Sequence, residues 1–316
     1  MTVSSRWLPP AFGGAAYIPG VAEPIVVEVR RNGVVEARHR VHAVAVRSGE
    51  IVASAGDPRL VWFMRSSSKP FQALPLVRAR DDLAEDEIAI ACASHHDTAD
   101  QVEAARKLLA HAGATEDDLE LGLQEGRPPQ KIHHNCSGKH AGMLALCDTQ
   151  GWEKRGYHQP EHPVQRGCHA AHAEAAEVEP EDAASDGCGV VTFALPLWRM
   201  AHAYSRLESL PGGDRIAGAM RARPDLIGGP DGVDFLLMRA VPGWLAKGGA
   251  EGLFCAAGPD GLGVAIKSED GASRPHAPAL AAFLGPLGVP VESLVEVPLR
   301  NSRDERVGAI TVRPAS

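Results

Sequence analysis

A serine and a lysine, Ser66 and Lys69, lie three residues apart in the segment Arg65-Ser-Ser-Ser-Lys69. On a helical turn, this spacing places the hydroxyl and the amine on the same face. A neutral lysine can remove the serine proton and make the serine a nucleophile, if burial or a nearby cation lowers the lysine pKa. Arg65 could supply part of that effect, or bind a substrate carboxylate. Because the spacing is common, the segment alone favours an exposed helix start over a catalytic pair.

Reactive side chains are dense in the segment His133-His-Asn-Cys-Ser-Gly-Lys-His140. The residues that follow predict a helix, so Cys136, Lys139 and His140 would cluster at its N-terminus. The helix dipole favours a thiolate at that position. The segment indicates a metal or catalytic cluster, and the alternative is a polar loop with incidental histidines.

Glycines flank Cys188 in the segment Asp186-Gly-Cys-Gly189, which permits close approach of backbone or ligand. Cys188 could complete a zinc shell that begins at Cys136, because zinc favours sulfur ligands. On its own, however, a tight turn with a small buried thiol explains the segment better. Two apolar runs also end in polar side chains, one at Ser94 and the other at Lys267. For Lys267, a solvated strand end is the ordinary explanation.

The segments between these candidates predict the elements that must position them. Short β-rich runs occupy both ends of the chain, and Asn32-Gly33 is the favoured pair for a type I′ hairpin turn. The predicted strands are 25–29, 41–46, 51–53, 60–64, 252–257, 263–267 and 307–312. The predicted helices are 102–111, 138–147, 162–177, 196–208, 215–223, 233–241 and 278–283, with another starting near Pro70.

Strands at both ends and helices in the middle indicate an α+β fold. We expect the N- and C-terminal strands to form one antiparallel sheet covered by helices. The helical insertion would span roughly residues 69–248. No repeat and no low-complexity linker interrupts the sequence, so we expect a single domain over residues 1–316.

Composition and charge exclude several classes of protein. The 316 residues are 44% hydrophobic and 23% charged, which excludes disorder and coiled coil as descriptions of the whole chain. The net charge of −8, with no basic run longer than Arg30-Arg31, argues against nucleic acid and membrane as partners. Pro9, Pro10 and Pro19 interrupt the first twenty residues and argue against a signal peptide. We therefore expect a soluble cytoplasmic protein with reduced cysteines.

Five segments taken together resemble the asparaginase II family, the class 3 or Rhizobium-type L-asparaginases. In chain order they are MRSSSKPFQALPLV, IAIACASHHDTADQ, HHNCSGKHAGMLALC, DGCGVVTFALPLWRMAHAYSRL and GLGVAIKSEDG. The similarity spans residues 26–312, and its specific parts are HNCSGKHAGM and DGCG. It implies hydrolysis of L-asparagine to L-aspartate and ammonia. It also implies a fold like that of serine β-lactamases and glutaminases, and a homodimer.

The same resemblance implies roles for individual residues. Two Ser–Lys pairs are implied, Ser66 with Lys69 and Ser94 with Lys267. A zinc site with water as fourth ligand is implied at Cys136, Lys139 and Cys188. Substrate contacts are implied at Arg65, His140 and Asp186. A lysine that binds a metal must be neutral, so the bound cation has to lower its pKa.

The mechanism that this resemblance suggests is acyl transfer. Ser66 would attack the side-chain amide carbon with Lys69 as general base, while Ser94 and Lys267 relay protons to the leaving group. A glutaminase and a β-lactamase-like serine hydrolase are the alternative enzymes. No Ser-Asp-Asn segment is present, and Glu269 rather than glycine follows Lys267-Ser268. A non-catalytic zinc-binding homologue is the third alternative, which the complete set of serines and lysines disfavours.

Overall fold

The computed structural model describes residues 22–313. The prediction about a signal peptide concerns residues outside this range. The described strands are β1 (Ile25–Arg31), β2 (Val34–Arg47), β3 (Glu50–Ala55), β4 (Val61–Phe63), β5 (Asp182–Ser185), β6 (Val191–Pro196), β7 (Leu245–Gly248), β8 (Leu253–Ala257), β9 (Gly263–Ser268), β10 (Glu296–Arg300) and β11 (Arg306–Val312). The described helices are α1 (Lys69–Ala79), α2 (Glu85–Ala91), α3 (Ala99–His111), α4 (Ser137–Gln150), α5 (Pro163–Ala176), α6 (Leu197–Arg206), α7 (Gly213–Ala222), α8 (Pro224–Ile227), α9 (Val233–Ala240) and α10 (His276–Leu284).

The main sheet joins the two ends of the chain. Its order is β10-β11-β1-β2-β9-β8-β7, with β3 also paired to β2, and all neighbours are antiparallel. In the register, Val27 faces Val312 and Val41 faces Ser268. The predicted α+β fold, with its sheet of N- and C-terminal strands, is confirmed.

The hairpin between β1 and β2 confirms the turn that Asn32-Gly33 predicts. Both residues have positive φ, 43° for Asn32 and 83° for Gly33, as a type I′ turn requires. The register between β1 and β2 then shifts at Val29/Arg30, which marks an irregularity beside the turn. The two turn residues therefore determine where β1 ends and β2 begins.

Helices α1–α9 lie between β4 and β7 and form the predicted insertion. The insertion also contains a second, three-stranded sheet in the order β4-β6-β5, which we did not predict. Strand β6 is buried almost throughout, so its residues show no two-residue alternation of apolar and polar side chains. Within residues 22–313, none of the helices combines the length and the apolar composition needed to cross a bilayer.

Helix α6 packs directly on the main sheet, against β2, β8 and β9. The approach is closest at Gly263, the first residue of β9. A Cβ atom placed on Gly263 would lie 1.9 Å from the carbonyl oxygen of Ala201 in α6. The distance between this helix and the sheet therefore requires a glycine at position 263.

We expect the substitution Gly263→Ala to lower the free energy of unfolding by about 1–3 kcal/mol, because α6 must move away from the sheet. Urea unfolding followed by circular dichroism measures the change. Gly218→Ala is the matched control, since a Cβ at that helical position meets nothing within 4 Å. It should leave stability unchanged or raise it, because alanine favours a helix more than glycine does. Equal stability of the two variants would contradict the prediction.

Candidate functional site

The segment Arg65–Ser68 forms a 3₁₀ turn between β4 and α1. The unpredicted small sheet holds the turn, because the Arg65 N–H donates to the hydroxyl of Thr192 in β6 at 3.1 Å. Arg65 has a φ of 50°, in the left-handed region that costs energy for a residue other than glycine. The sharp turn that results is followed directly by Ser66.

A cavity of about 510 Å³ opens beside this turn. Ser66 lines it together with Ser94, which follows α2, and with Lys247 of β7. The volume lies in the range of pockets for small molecules. Two hydroxyls and a lysine therefore face one space that can hold a small substrate.

Lys69 is completely buried at the first position of α1. Its Nζ lies 2.9 Å from Ser94 Oγ and 2.5 Å from the carbonyl oxygen of Ala93. Burial lowers the pKa of Lys69, and this favours the neutral amine that can accept a proton. Within residues 22–313, the Ser66 hydroxyl forms no hydrogen bond with Lys69, so the direct contact of this lysine is with Ser94.

The structure places Lys267 away from Ser94, contrary to the predicted pairing. The Lys267 side chain is buried on β9, where its Nζ donates to the carbonyl oxygen of Ser268 at 2.6 Å. The ammonium also lies 4.2 Å from the centre of the Trp62 ring. It lines a second cavity, of about 350 Å³, which Arg65 also lines and Ser94 does not. The aromatic ring attracts the cation, which explains why this lysine turns away from the serines.

Lys247 occupies the position beside the serines that we assigned to Lys267. Its side chain is 1% exposed, and burial lowers the pKa of Lys247 to about 8. The hydroxyl of Ser67 donates to the carbonyl oxygen of Lys247 at 3.0 Å, which ties β7 to the 3₁₀ turn. The sequence signal is a lysine between an apolar pair and two glycines, Leu245-Ala-Lys-Gly-Gly249. We missed it because a strand of four residues has no measurable periodicity.

The predicted zinc ligands come together. Cys136 occupies the N-cap position of α4, so Lys139 lies in the first turn of that helix, and Cys188 lies in the turn between β5 and β6. Lys139 Nζ is 3.0 Å from Cys188 Sγ. A hydrogen bond with Cys136 lowers the pKa of Cys188 to about 5. Burial opposes a charge on Lys139, but the two thiols and Asp186 raise its pKa above the ordinary value.

The three predicted substrate contacts surround this cluster. Arg65 Nε donates to Asp186 Oδ1 at 2.7 Å, and Asp186 Oδ2 is 4.0 Å from Lys139 Nζ. Arg65, Asp186 and Lys139 therefore form a row of charged side chains between the 3₁₀ turn and the two cysteines. His140 is fully buried, with Nδ1 2.6 Å from the hydroxyl of Tyr157. Its Nε2 is buried without a hydrogen-bond partner in the described part of the chain.

The donor set of this cluster fits a zinc ion in its chemistry. Residues 22–313 contain no group of three or more His, Cys, Asp and Glu side chains that could hold a metal. The cluster instead offers two sulfur atoms and one amine, at Cys136, Cys188 and Lys139, and zinc binds sulfur and nitrogen donors. To bind a metal, Lys139 would have to lose the proton that it donates to Cys188.

Comparison with known proteins identifies one family. The family described as L-asparaginase II matches residues 27–312. No curated protein matches the sequence significantly.

Solved structures with low sequence identity are also similar to the chain. The protein Mglu in its L-glutamate binding form is 15% identical with a TM-score of 0.46, and the match covers 80% of this chain and 62% of Mglu. Native Mglu is 14% identical with a TM-score of 0.43, with coverages of 74% and 61%. A beta-lactamase from Mycobacterium bovis is 14% identical with a TM-score of 0.33, with coverages of 73% and 88%. The chain thus spans less than two thirds of the length of the two Mglu chains.

Proposed function

The chain belongs to the L-asparaginase II family. We propose that it is an amidohydrolase that converts L-asparagine and water to L-aspartate and ammonia. The observation that carries this proposal is the convergence of Ser66, Ser94 and Lys247 on one cavity, with the buried amine of Lys69 touching Ser94. Hydroxyls beside buried amines are the groups that acyl transfer from an amide requires.

In the proposed mechanism, the Ser66 Oγ forms a bond with the side-chain amide carbon. The serine proton passes to the neutral amine of Lys69, and the Ser94 hydroxyl next to that amine relays it. Backbone N–H groups, including that of Ser66, stabilise the negative charge on the amide oxygen. The C–N bond then breaks, and Lys247 gives its proton to the leaving ammonia. Water cleaves the β-aspartyl ester, and its two protons go to Ser66 and Lys247. The proton on Lys69 passes to the released ammonia, which departs as ammonium.

We propose that the charged pair beside the turn recognises the amino-acid part of the substrate. Arg65 would bind the α-carboxylate, since a guanidinium pairs with a carboxylate through two parallel hydrogen bonds. Asp186 would accept hydrogen bonds from the α-ammonium group. His140, fully buried against the Tyr157 hydroxyl, would fix the position of the neighbouring Lys139. In this arrangement the α-carboxylate and the α-ammonium group of the substrate replace part of the contact between Arg65 and Asp186.

We also propose that Cys136, Lys139 and Cys188 hold a zinc ion. When bound, the ion supplies a positive charge that can polarise or position a substrate. Two thiolates and one neutral amine satisfy the preference of zinc for sulfur and nitrogen. The amine comes from a lysine whose proton the cation displaces.

The substitution Cys188→Ala is expected to remove most of the zinc from the purified protein, since it deletes one of two sulfur ligands. Inductively coupled plasma mass spectrometry measures the bound metal without relying on activity. Cys147→Ala is the matched control, because Cys147 is a buried thiol on the same helix as Lys139 but lies outside the cluster. Equal zinc contents in the two variants and the wild-type protein would contradict this site.

A coupled assay of ammonia release tests the proposed activity. The protein is incubated with L-asparagine or with L-glutamine, each with and without a chelator. Faster turnover of L-asparagine supports the proposal, and faster turnover of L-glutamine identifies a glutaminase. Hydrolysis of nitrocefin without ammonia release identifies a β-lactamase-like enzyme. If no substrate reacts at high protein concentration while zinc is bound, the protein is a non-catalytic homologue.

The remaining parts of the proposal concern assembly and location. We propose a homodimer, which the family resemblance implies, and a cytoplasmic location. Light scattering after size-exclusion chromatography measures the mass of the particle in solution. A monomer at micromolar concentration would contradict the dimer.

Fractionation of cells that express the full chain tests the proposed cytoplasmic location.

A further inference from the structure

A buried aspartate, Asp234, faces the cavity from the first turn of α9. Its side chain is about 10% exposed, and Oδ2 lies 3.7 Å from the Nζ of Lys247. The Gly248 N–H donates to Oδ2 at 3.3 Å, and the Phe235 N–H donates to Oδ1 at 3.0 Å. Two backbone donors therefore hold the carboxylate in place, and its charge is directed at one lysine.

The loop before α9 is shaped around this carboxylate. A Cβ atom placed on Gly228 or on Gly232 would lie 2.6 Å from Asp234 Oδ1, which is too close for any real contact. Gly232 has a φ of −70°, which every residue can adopt, so its backbone conformation does not require glycine. The small size of residue 232 is explained by the space that the carboxylate occupies.

Lys247 has few partners for its charge. Its Nζ donates to the carbonyl oxygen of Gly248 at 2.8 Å. Within residues 22–313, Asp234 is the only carboxylate within 4 Å of this amine. The charged and titratable side chains that line the cavity with Lys247 are those of His96, Asp231, Asp234, Arg274 and His276. Lys69, Cys92 and Cys136 act on Lys247 from neighbouring elements. Without the carboxylate, the ammonium would be buried near Lys69 with no opposite charge in contact.

We propose that Asp234 is a positioning residue of the amide hydrolysis, whose carboxylate holds the Lys247 ammonium at the cavity so that it can protonate the leaving ammonia. This inference rests on the proposed function. It explains how a lysine so deeply buried keeps a proton to donate. Burial lowers the pKa of Lys247, and the charge of Asp234 acts in the opposite direction.

The first test compares the pH dependence of kcat in three variants. Asp234→Asn keeps the shape of the side chain and removes its charge, so Lys247 should lose its proton at lower pH. Because the mechanism needs the protonated lysine, the alkaline limb of kcat should move about one pH unit lower. At pH values above the alkaline limb, kcat should fall about tenfold, and near neutral pH about twofold, with KM little changed. Gly232→Ala should shift the limb in the same direction, since it displaces the carboxylate without removing it.

Asp225→Asn is the matched control for the loss of one negative charge. Asp225 belongs to the same part of the chain, but it pairs with Arg223 at the surface, outside the cavity. Its pH profile should coincide with that of the wild-type protein. If the profiles of Asp234→Asn and Gly232→Ala also coincide with the wild-type profile while both variants are folded, the positioning role is wrong.

The second test needs no activity. Lysine labelled with ¹³C at Cε reports the titration of Lys247 by NMR, and the Lys247→Arg variant identifies its signal. The pKa of this signal should fall in Asp234→Asn relative to the wild-type protein. An unchanged titration would overturn the inference. If Asp234→Asn lowers the pKa of Lys247 but the wild-type protein releases no ammonia, the proposed function is contradicted, while the interaction between Asp234 and Lys247 is supported.

Discussion

Replacing Ser66 with alanine is expected to lower kcat for ammonia release from L-asparagine by a factor on the order of 10³ or more. The variant lacks the oxygen that forms the ester, so what remains is the binding and charge stabilisation of the cavity. A glutamate dehydrogenase coupled assay at saturating substrate measures the loss. Zinc content should be unchanged, since Ser66 is not among the proposed ligands.

The same 3₁₀ turn offers a matched control in Ser68→Ala. The Ser68 hydroxyl is fully buried and has no hydrogen-bond partner in the described part of the chain. Its removal should leave kcat close to the wild-type value. Near-full activity of Ser66→Ala would overturn the mechanism. A loss confined to Ser94→Ala would assign the nucleophile to Ser94, the hydroxyl that Lys69 touches.

The second large effect is expected for Lys247. The substitution Lys247→Met keeps much of the side-chain length and removes the amine that protonates the leaving group. General acid catalysis typically contributes a factor of about 10²–10⁴, and we expect kcat to fall by about that factor. KM should change far less, because the proposed substrate contacts do not include this lysine.

Lys267→Met provides the comparison, since Lys267 is the buried lysine that we predicted to relay protons. Its amine lies over the Trp62 ring in a separate cavity. We expect the Lys247 variant to lose more activity than the Lys267 variant by a factor on the order of 100. Both proteins should first be checked for cooperative unfolding by circular dichroism. A larger loss for Lys267→Met would restore the pairing of Ser94 with Lys267.

The sequence was sufficient for the parts of the fold that depend on local chemistry. Asn32-Gly33 specifies its hairpin because few residue pairs adopt positive φ at both positions. Thr98 and Gln101 cap α3 with reciprocal hydrogen bonds, as their spacing predicts. The cluster of Cys136, Lys139 and Cys188 was also predictable, because two recognisable segments supply it.

The parts that we could not predict depend on contacts between distant segments. Lys267 lies near the end of a strand that the sequence predicts clearly, whereas Lys247 lies in a strand of only four residues. We therefore paired Lys267, and not Lys247, with Ser94. The direction of the amine depends on Trp62 for Lys267, and on Asp234 and the Gly248 carbonyl for Lys247. Nothing in the sequence marks Asp234 as part of a site, because aspartate is common in the first turn of a helix.

The pairing of the chain's two ends in the main sheet has a consequence for how the protein folds during synthesis. Strand β2 finds its partner β9 only after Ser268 has left the ribosome, and β1 needs β11, which ends at Val312. Contacts between sequence-distant segments slow folding. The helices of the insertion can pack first. Until β9 and β11 are synthesised, β1, β2 and β3 pair only with one another, and the edges that bind β9 and β11 stay exposed. We therefore expect truncated chains that end before β9 to aggregate during translation.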